Sequence, residues 1–412
     1  MTEENENQYP VPLPGAKSET LMWAWEHEIE PQAVQQIRNV AALPWVHGVR
    51  VMPDVHLGSG ATIGTVIASE QAISPSAVGV DIGCGVNAVR TNLFLEDVHD
   101  DLHKLRMAIE AAVPVGFNAH DRSLNSKDLP GHGWHEFWGT FKDLNPAVQR
   151  VEDRAHKQMG TLGGGNHFIE LCTDAEDRIW ITLHSGSRNI GKELAERHID
   201  IAKKLPQNQD LPDRELAVFL KDTPEMLAYR HDLEWAQEFA MRSRSVMMAL
   251  VKRQLQKFYT NRMRLRVKHV TFDDEINCHH NYVAEEEIDG VDMLVTRKGA
   301  IRAGSGDLAL IPGSMGTGSF IVRGLGNTDS YQSASHGAGR KMSRSAAKRA
   351  FLNDDEGAAE IAKQLGTVES KRDSSVVDEL PGAYKDIHEV IKAQSNLVDV
   401  VQHLQTILCV KG

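Results

Sequence analysis

The first half of the chain alternates short apolar runs with glycine-rich turns. Residues 63–68 and 86–91 read as strands, with Gly60 and Gly64 marking the first and Gly83 and Gly85 the second. Ile179, Ile181 and Leu183 alternate with Trp180 and Thr182, the pattern of a half-buried strand running into His184. Residues 291–296 and 319–322 read as further strands. Helical spacing appears in the middle, where Leu233, Ala236, Ala240, Met247, Leu250 and Val251 follow the cap and first-turn pair Thr223-Pro224. Another helix is expected from Lys192. A C-terminal helix is expected too, capped by Asp386, with Val390, Ile391, Leu397, Val398, Val401 and Leu404 along one face. Residues 116–138, rich in Gly, His, Asn, Asp and Ser, read as a surface loop or insertion. No βαβ rhythm is visible. The expected class is therefore α+β, a single compact domain over 1–412 with mixed sheets and flanking helices, and with 1–18 flexible.

Composition narrows the function. Hydrophobic residues at 41% and charged residues at 25% suit a globular protein with a sizeable core. The net charge is −12, so a nucleic-acid substrate would need a local basic patch or metal ions to overcome a repulsive field. The most basic helical stretch carries Arg242, Arg244, Lys252, Arg253 and Lys257; it reads as a solvated outer face before it reads as a phosphate contact. Cys84, Cys172, Cys278 and Cys409 have no disulfide-scaffold spacing and fit a reducing compartment. The acidic N-terminus lacks the features of a secretory signal, and no apolar run approaches the roughly 18–20 residues that span a bilayer. A cytoplasmic protein without membrane association is expected.

Five glycine-rich polar segments carry the candidate chemistry. Asp81 and Cys84 sit three apart among glycines, a hard oxygen and a soft thiolate for metal, although the pair alone reads more readily as a buried thiol beside a capping Asp. Gly163-Gly164-Gly165-Asn166-His167 exposes backbone amides as a phosphate nest or a tight turn. His184 ends a strand, and Ser-Gly-Ser-Arg188 then leads into a helix that could hold a phosphate. His279 and His280 are adjacent in an extended segment and point opposite ways, so one of them joins a given site. Segments 312–319 and 333–340 are small, hydroxylated and glycine-rich, and His336 in the second is a candidate nucleophile or general acid/base. One Asp, one Cys and three His suffice for a two-metal site with a shared thiolate, and two-metal sites clamp phosphoryl chemistry.

The motifs VMPDVHLGSGATIG, VGVDIGCGVNAVRT, TLGGGNHFIE, LHSGSRNIG, INCHHNYV, IPGSMGTGSFIVRG, SHGAGRKMSR, DELPGAYKDI and the terminal VKG resemble the RtcB family of RNA ligases, in the family's order from about residue 20 onward. The resemblance implies an RtcB-type catalytic domain that joins RNA 3′-phosphate or 2′,3′-cyclic-phosphate ends to 5′-hydroxyl ends with GTP and two Mn²⁺. It implies that Asp81, Cys84 and His167 hold one Mn²⁺ and that Cys84, His184 and His280 hold the second. It makes His336 the nucleophile that takes GMP. Guanine-nucleotide contacts would come from Asn166, His167, Phe168, Ile169 and Glu170, from His280 and Asn281, and from Pro312, Gly313, Ser314, Met315 and Ser319. His336, Gly337, Ala338, Gly339 and Lys411 would complete them. Asp54 and His56 lie in a matching motif with no role assigned. RNA is the expected partner, an archease-type activator a candidate one, and a monomer the expected state.

Overall fold

A computed structural model describes residues 9–259, 269–352 and 357–412. The strands are β1 (Val11–Pro12), β2 (Glu19–Met22), β3 (Val46–His56), β4 (Ile63–Ser69), β5 (Ala72–Ile73), β6 (Gly85–Phe94), β7 (Phe168–Thr173), β8 (Arg178–Ser185) and β9 (Phe219–Leu220). They continue as β10 (Phe272–His279), β11 (Asn281–Ile288), β12 (Val291–Lys298), β13 (Ala300–Arg302), β14 (Leu308–Pro312), β15 (Ser319–Gly324), β16 (Ser333–Ser335) and β17 (Val398–Lys411). The helices used below are α1 (Pro31–Ala41), α2 (Pro75–Val78), α3 (Leu95–Val98), α4 (Leu102–Ala112), α5 (Trp134–Gly139), α6 (Glu152–Gln158), α7 (Arg188–Ala202) and α8 (Pro224–Tyr259). Three more follow: α9 (Arg344–Phe351), α10 (Gly357–Leu365) and α11 (Ile387–Ala393).

Two sheets organise the molecule. One runs β1-β2-β3-β4-β12-β11 and the other β10-β6-β8-β7-β17-β15-β14. Only β2 and β3 pair in parallel among these neighbours. This is the α+β class expected from the absence of a βαβ rhythm. Helix α1 packs Ile37 and Val40 on Val49 and Val51 of the first sheet. Helices α4 and α8 cover the second sheet, with Leu105, Met247 and Val251 against Ile169, Ile181 and Leu183. A third core, with Met52, Val66, Ile301, Ile311, Phe320 and Ala334, fills the space where the sheets approach and fixes the short β13–β16 ladder.

The strands expected at 63–68, 86–91, 179–183, 291–296 and 319–322 all form. Thr223 caps α8, its Oγ1 accepting from Met226 N–H at 3.2 Å. Helix α7 begins at Arg188, a turn earlier than Lys192. The expected C-terminal helix is half wrong. Asp386 does cap α11, accepting from His388 N–H at 2.9 Å, but α11 ends at Ala393. Asn396 then bonds Trp23 Nε1 and Tyr9 O, and 398–411 becomes a strand pinned between β7 and β15. Its β-branched residues and ladder partners on both edges override an apolar spacing that also fitted a helix. Residues 116–133 run over the surface, but Trp134 and Phe137 turn inward to an aromatic core with Trp235 and Phe239. Residues 11–12 pair with β2, whereas 1–8 of the expected flexible segment lie outside the described residues.

Candidate active site

Four adjacent strands of the second sheet end at one place. Cys84 precedes β6, His184 lies at the end of β8, His167 precedes β7, and His280 follows β10. The registers Gly85↔Ser185, Phe168↔His184 and His279↔Gly85 bring these ends side by side. Asp81 enters from the turn before Cys84, and its Oδ1 accepts from Ser187 N–H at 3.2 Å, at the start of α7. Gly186 permits this approach, since a Cβ there would stand 2.0 Å from Asp81 Oδ1.

The donors form two groups that share Cys84: Asp81, Cys84 and His167, and Cys84, His184 and His280. Cys84 Sγ lies 3.5 Å from His167 Nε2 and 3.3 Å from His184 Nε2. His167 Nε2 is 3.0 Å from Asp81 Oδ2, and His184 Nε2 is 2.8 Å from His280 Nε2. Two ring nitrogens facing each other require one shared proton or a cation between them. Burial first, then neighbouring cationic groups, push His184 and His280 well below the ordinary histidine range, so both are neutral and ligand-ready. Burial alone would raise Asp81, but its hydrogen bond and charge contact with His167 outweigh this and hold it at about 2. Burial, then Asp81, pushes the Cys84 thiol well up, so a bound cation would displace its proton. His167 Nδ1 donates to Leu162 O at 3.0 Å, which leaves Nε2 as the ligand atom. Asn281 braces the cluster through Asp81 O and Gly299 N. This buried set of thiol, imidazole and carboxylate fits a divalent transition metal.

His279 turns away from the cluster. Arg244, fully buried on α8, donates to its Nδ1 at 3.1 Å, and also to Gly83 O at 2.7 Å, Ser185 O at 3.0 Å and Asn277 Oδ1 at 2.8 Å. This corrects the reading of the basic helix as an outer face. Lys252 does pair outside with Glu275, but Arg244 points inward, because α8 crosses directly behind the strand ends.

His336 follows β16 and stands beside the second donor group, its ring centroid 4.6 Å from that of His280. Asp54, wholly buried in β3, accepts from His336 Nδ1 at 2.7 Å and from His336 N–H at 3.2 Å. In the neutral ring this tautomer puts the lone pair on Nε2. His56 donates through Nδ1 to Asp54 O at 2.9 Å, and burial lowers it to about 4.

A cavity of about 460 Å³ opens beside these groups. It is lined by Asp81, Asn166, Phe168, Glu170, His184, Pro312, Gly313, Ser314, Met315, Ser319, His336, Gly337, Ala338, Gly339 and Lys411. His167, His280 and Asn281 belong to the donor cluster rather than to its wall. Ile169 points the other way, into the core, as strand alternation requires between Phe168 and Glu170. Burial raises Glu170 to about 7. Eight further wall residues have no part in the expected nucleotide contacts or metal ligands: His56, Leu57, Ile63 and Val80 on one side, and Arg340, Arg344, Glu379 and Tyr384 on the other. Glu379 takes Lys411 Nζ at 3.2 Å and Arg340 Nη1 at 3.2 Å. Asp54 and the Glu379–Tyr384 pair both lie in quoted motifs, but nothing local says which of their side chains turn toward the site.

The chain matches the family model described as tRNA-splicing ligase RtcB over residues 36–412. It is 45% identical over 401 residues to the RNA-splicing ligase RtcB of Escherichia coli (strain K12), covering 95% of this chain and 97% of that protein. It is 30% identical over 447 residues to the tRNA-splicing ligase RtcB of Nanoarchaeum equitans, covering 93% and 92%. It is 30% identical over 448 residues to the RNA-splicing ligase RtcB homolog 1 of Entamoeba dispar, covering 93% and 82%. A match over nearly the whole length, with the donor cluster, His336 and the cavity gathered at one place, means that this chain belongs to the RtcB family.

Proposed function

We propose that this protein is a GTP-dependent RNA ligase that joins RNA 3′-phosphate or 2′,3′-cyclic-phosphate ends to 5′-hydroxyl ends, in tRNA splicing or RNA repair. The observation that carries the reading is the pair of donor groups sharing Cys84, set against a histidine whose Nδ1 is held by Asp54. Asp81, Cys84 and His167 would hold one Mn²⁺, and Cys84, His184 and His280 the other. Bound there, the ions neutralise phosphate charge and polarise phosphorus. His336 Nε2 attacks the α-phosphorus of GTP, forming an N–P bond while pyrophosphate departs with the P–O electron pair. Asp54 keeps the Nδ1–H in place and stabilises the positive ring as that bond forms. The RNA 3′-phosphate oxygen then displaces the imidazole and takes GMP. The 5′-hydroxyl attacks the activated phosphorus, loses its proton and releases GMP. A cyclic-phosphate end is first opened by hydrolysis. The wall residues Asn166, Phe168, Glu170, Pro312, Gly313, Ser314, Met315 and Ser319, with Gly337, Ala338, Gly339 and Lys411, would bind the guanine nucleotide.

No described helix is long and apolar enough to cross a membrane, and the cytoplasm is part of this proposal. Incubation with α-phosphate-labelled GTP and Mn²⁺ tests the reading. An acid-labile label on the protein, lost in His336→Ala, is the expected result. Equal labelling of that variant removes His336 as the nucleophile. Cyclic-phosphate RNA that is only hydrolysed, with GTP present, removes the ligase.

A further inference from the structure

The chemistry above uses no residue of 116–133, yet the start of this segment is tied to the active site. Gly116 N–H donates to Gly163 O at 2.7 Å, and Gly116 O accepts from Arg188 Nη2 at 2.8 Å. Gly163 touches the donor cluster in turn, since a Cβ on it would lie 2.6 Å from His167 Nδ1. Phe117 is therefore held at a fixed step from a candidate metal ligand, and it is 98% exposed. A lone exposed apolar side chain is ordinary. This one lies on a surface of mixed charge, where Lys157 is already paired with Asp153 at 2.8 Å, so any phosphate contact falls to a cation without a partner. His120 N–H donates to Lys157 O at 3.0 Å, which lays the segment along α6. Arg154, one turn earlier on α6, is exposed and has no ion-pair partner among the described residues. It lies near enough to Arg188 that, after burial, its charge helps to lower that guanidinium. Gly164, beside Gly116, is exposed as well. Arg188 thus links the two, bonded to Gly116 O on one side and within reach of the Arg154 charge on the other. Exposed aromatic rings and unpaired cations on one stretch of surface are the groups by which proteins hold single-stranded nucleic acid, with bases stacked and backbone phosphates neutralised. In a chain of net charge −12, such a contact has to be local.

We propose that Phe117 and Arg154 form a platform for single-stranded RNA beside the reacting end, the phenyl ring stacking on a nucleobase and the guanidinium taking a backbone phosphate. This rests on the ligase reading. The test is ligation rate against RNA concentration for the wild type, Phe117→Ala, Phe117→Trp and Arg154→Ala. Both side chains are exposed, so wild-type melting temperatures are part of the expected result. Phe117→Ala raises the KM for RNA about tenfold, the size of one lost stack, and changes kcat less. Phe117→Trp restores the KM. Arg154→Ala flattens the slope of log affinity against log salt by about 0.7. Guanylylation of a phosphate-ended strand alone is compared with sealing of a pre-activated end. A KM defect in the first assigns the platform to the phosphate strand, and a defect only in the second assigns it to the hydroxyl strand. An unchanged KM for RNA in Phe117→Ala overturns the platform. Labelling of the wild type by GTP without RNA is run alongside: its failure sinks the ligase reading, whereas its success with an unchanged KM overturns the platform alone.

Discussion

Cys84 Sγ stands within 3.5 Å of ring nitrogens from both donor groups, whereas Asp81 reaches only one of them. Cys84→Ala should therefore abolish Mn²⁺ uptake, and Asp81→Ala should keep about one ion per chain, as metal analysis of the two purified variants can show. The reverse ordering would mean that the thiol is not shared. Glu170 carries a pH-dependent expectation. Its carboxyl titrates at about 7 when folded against 4.5 when free, so folding favours the protonated form. That contribution is whole below pH 4.5 and is lost as pH rises through 7. Glu170→Gln, which does not titrate, should gain on the wild type over that window by about 3 kcal/mol, then hold a constant lead. Parallel unfolding midpoints from pH 5 to 8 would contradict this. Asp81, Cys84, His167, His184 and His336 were legible because each sits in a glycine-rich motif, whereas His280 lies in a glycine-free segment and only the family resemblance set it apart from His279. Asp54 was legible only as a motif member, because its partner His336 is 282 positions away and no local pattern reports that contact.

At the level of elements, strands with clean alternation were readable and the C-terminal segment was not. Leu397, Val398, Val401 and Leu404 satisfy a helical stripe, and only the open edges of β7 and β15 decide for a strand. Helix α8 was readable from its cap and apolar spacing, but the inward turn of Arg244 was not, since charge on a helix says nothing of what the helix crosses. That side chain ties α8 to the backbone on either side of the donor cluster, at Gly83 and Ser185. Arg244→Met keeps the length but leaves Gly83 O, Ser185 O and Asn277 Oδ1 without this donor. It should cost about 3 kcal/mol or more of stability by denaturant unfolding and should lower Mn²⁺ content together with it. Loss of stability with full metal content would separate the helix anchor from the site.

Across the whole molecule, the site lies at a seam. Asp54 comes from the first sheet, the candidate metal donors from the strand ends of the second, and His336 from the short ladder between them. The strand order of the second sheet brings chain positions 84, 167, 184 and 280 together, and no sequence rhythm announces that order. Gathering donors from so much of the chain links metal occupancy to global folding: the unfolded chain has no such cluster, so an ion that binds there stabilises only the folded state. At 100 times its dissociation constant each ion adds about 2.7 kcal/mol. For a chain of this length that is a rise of a few degrees in Tm per ion. Scanning calorimetry with Mn²⁺ should show such a rise in the wild type, reversed by a chelator, a smaller rise in Asp81→Ala and none in Cys84→Ala. His336→Ala, which leaves both donor groups intact, should respond as the wild type does. A rise of equal size in Cys84→Ala would mean that the stabilising ion binds away from this cluster, whatever the ligation assay reports.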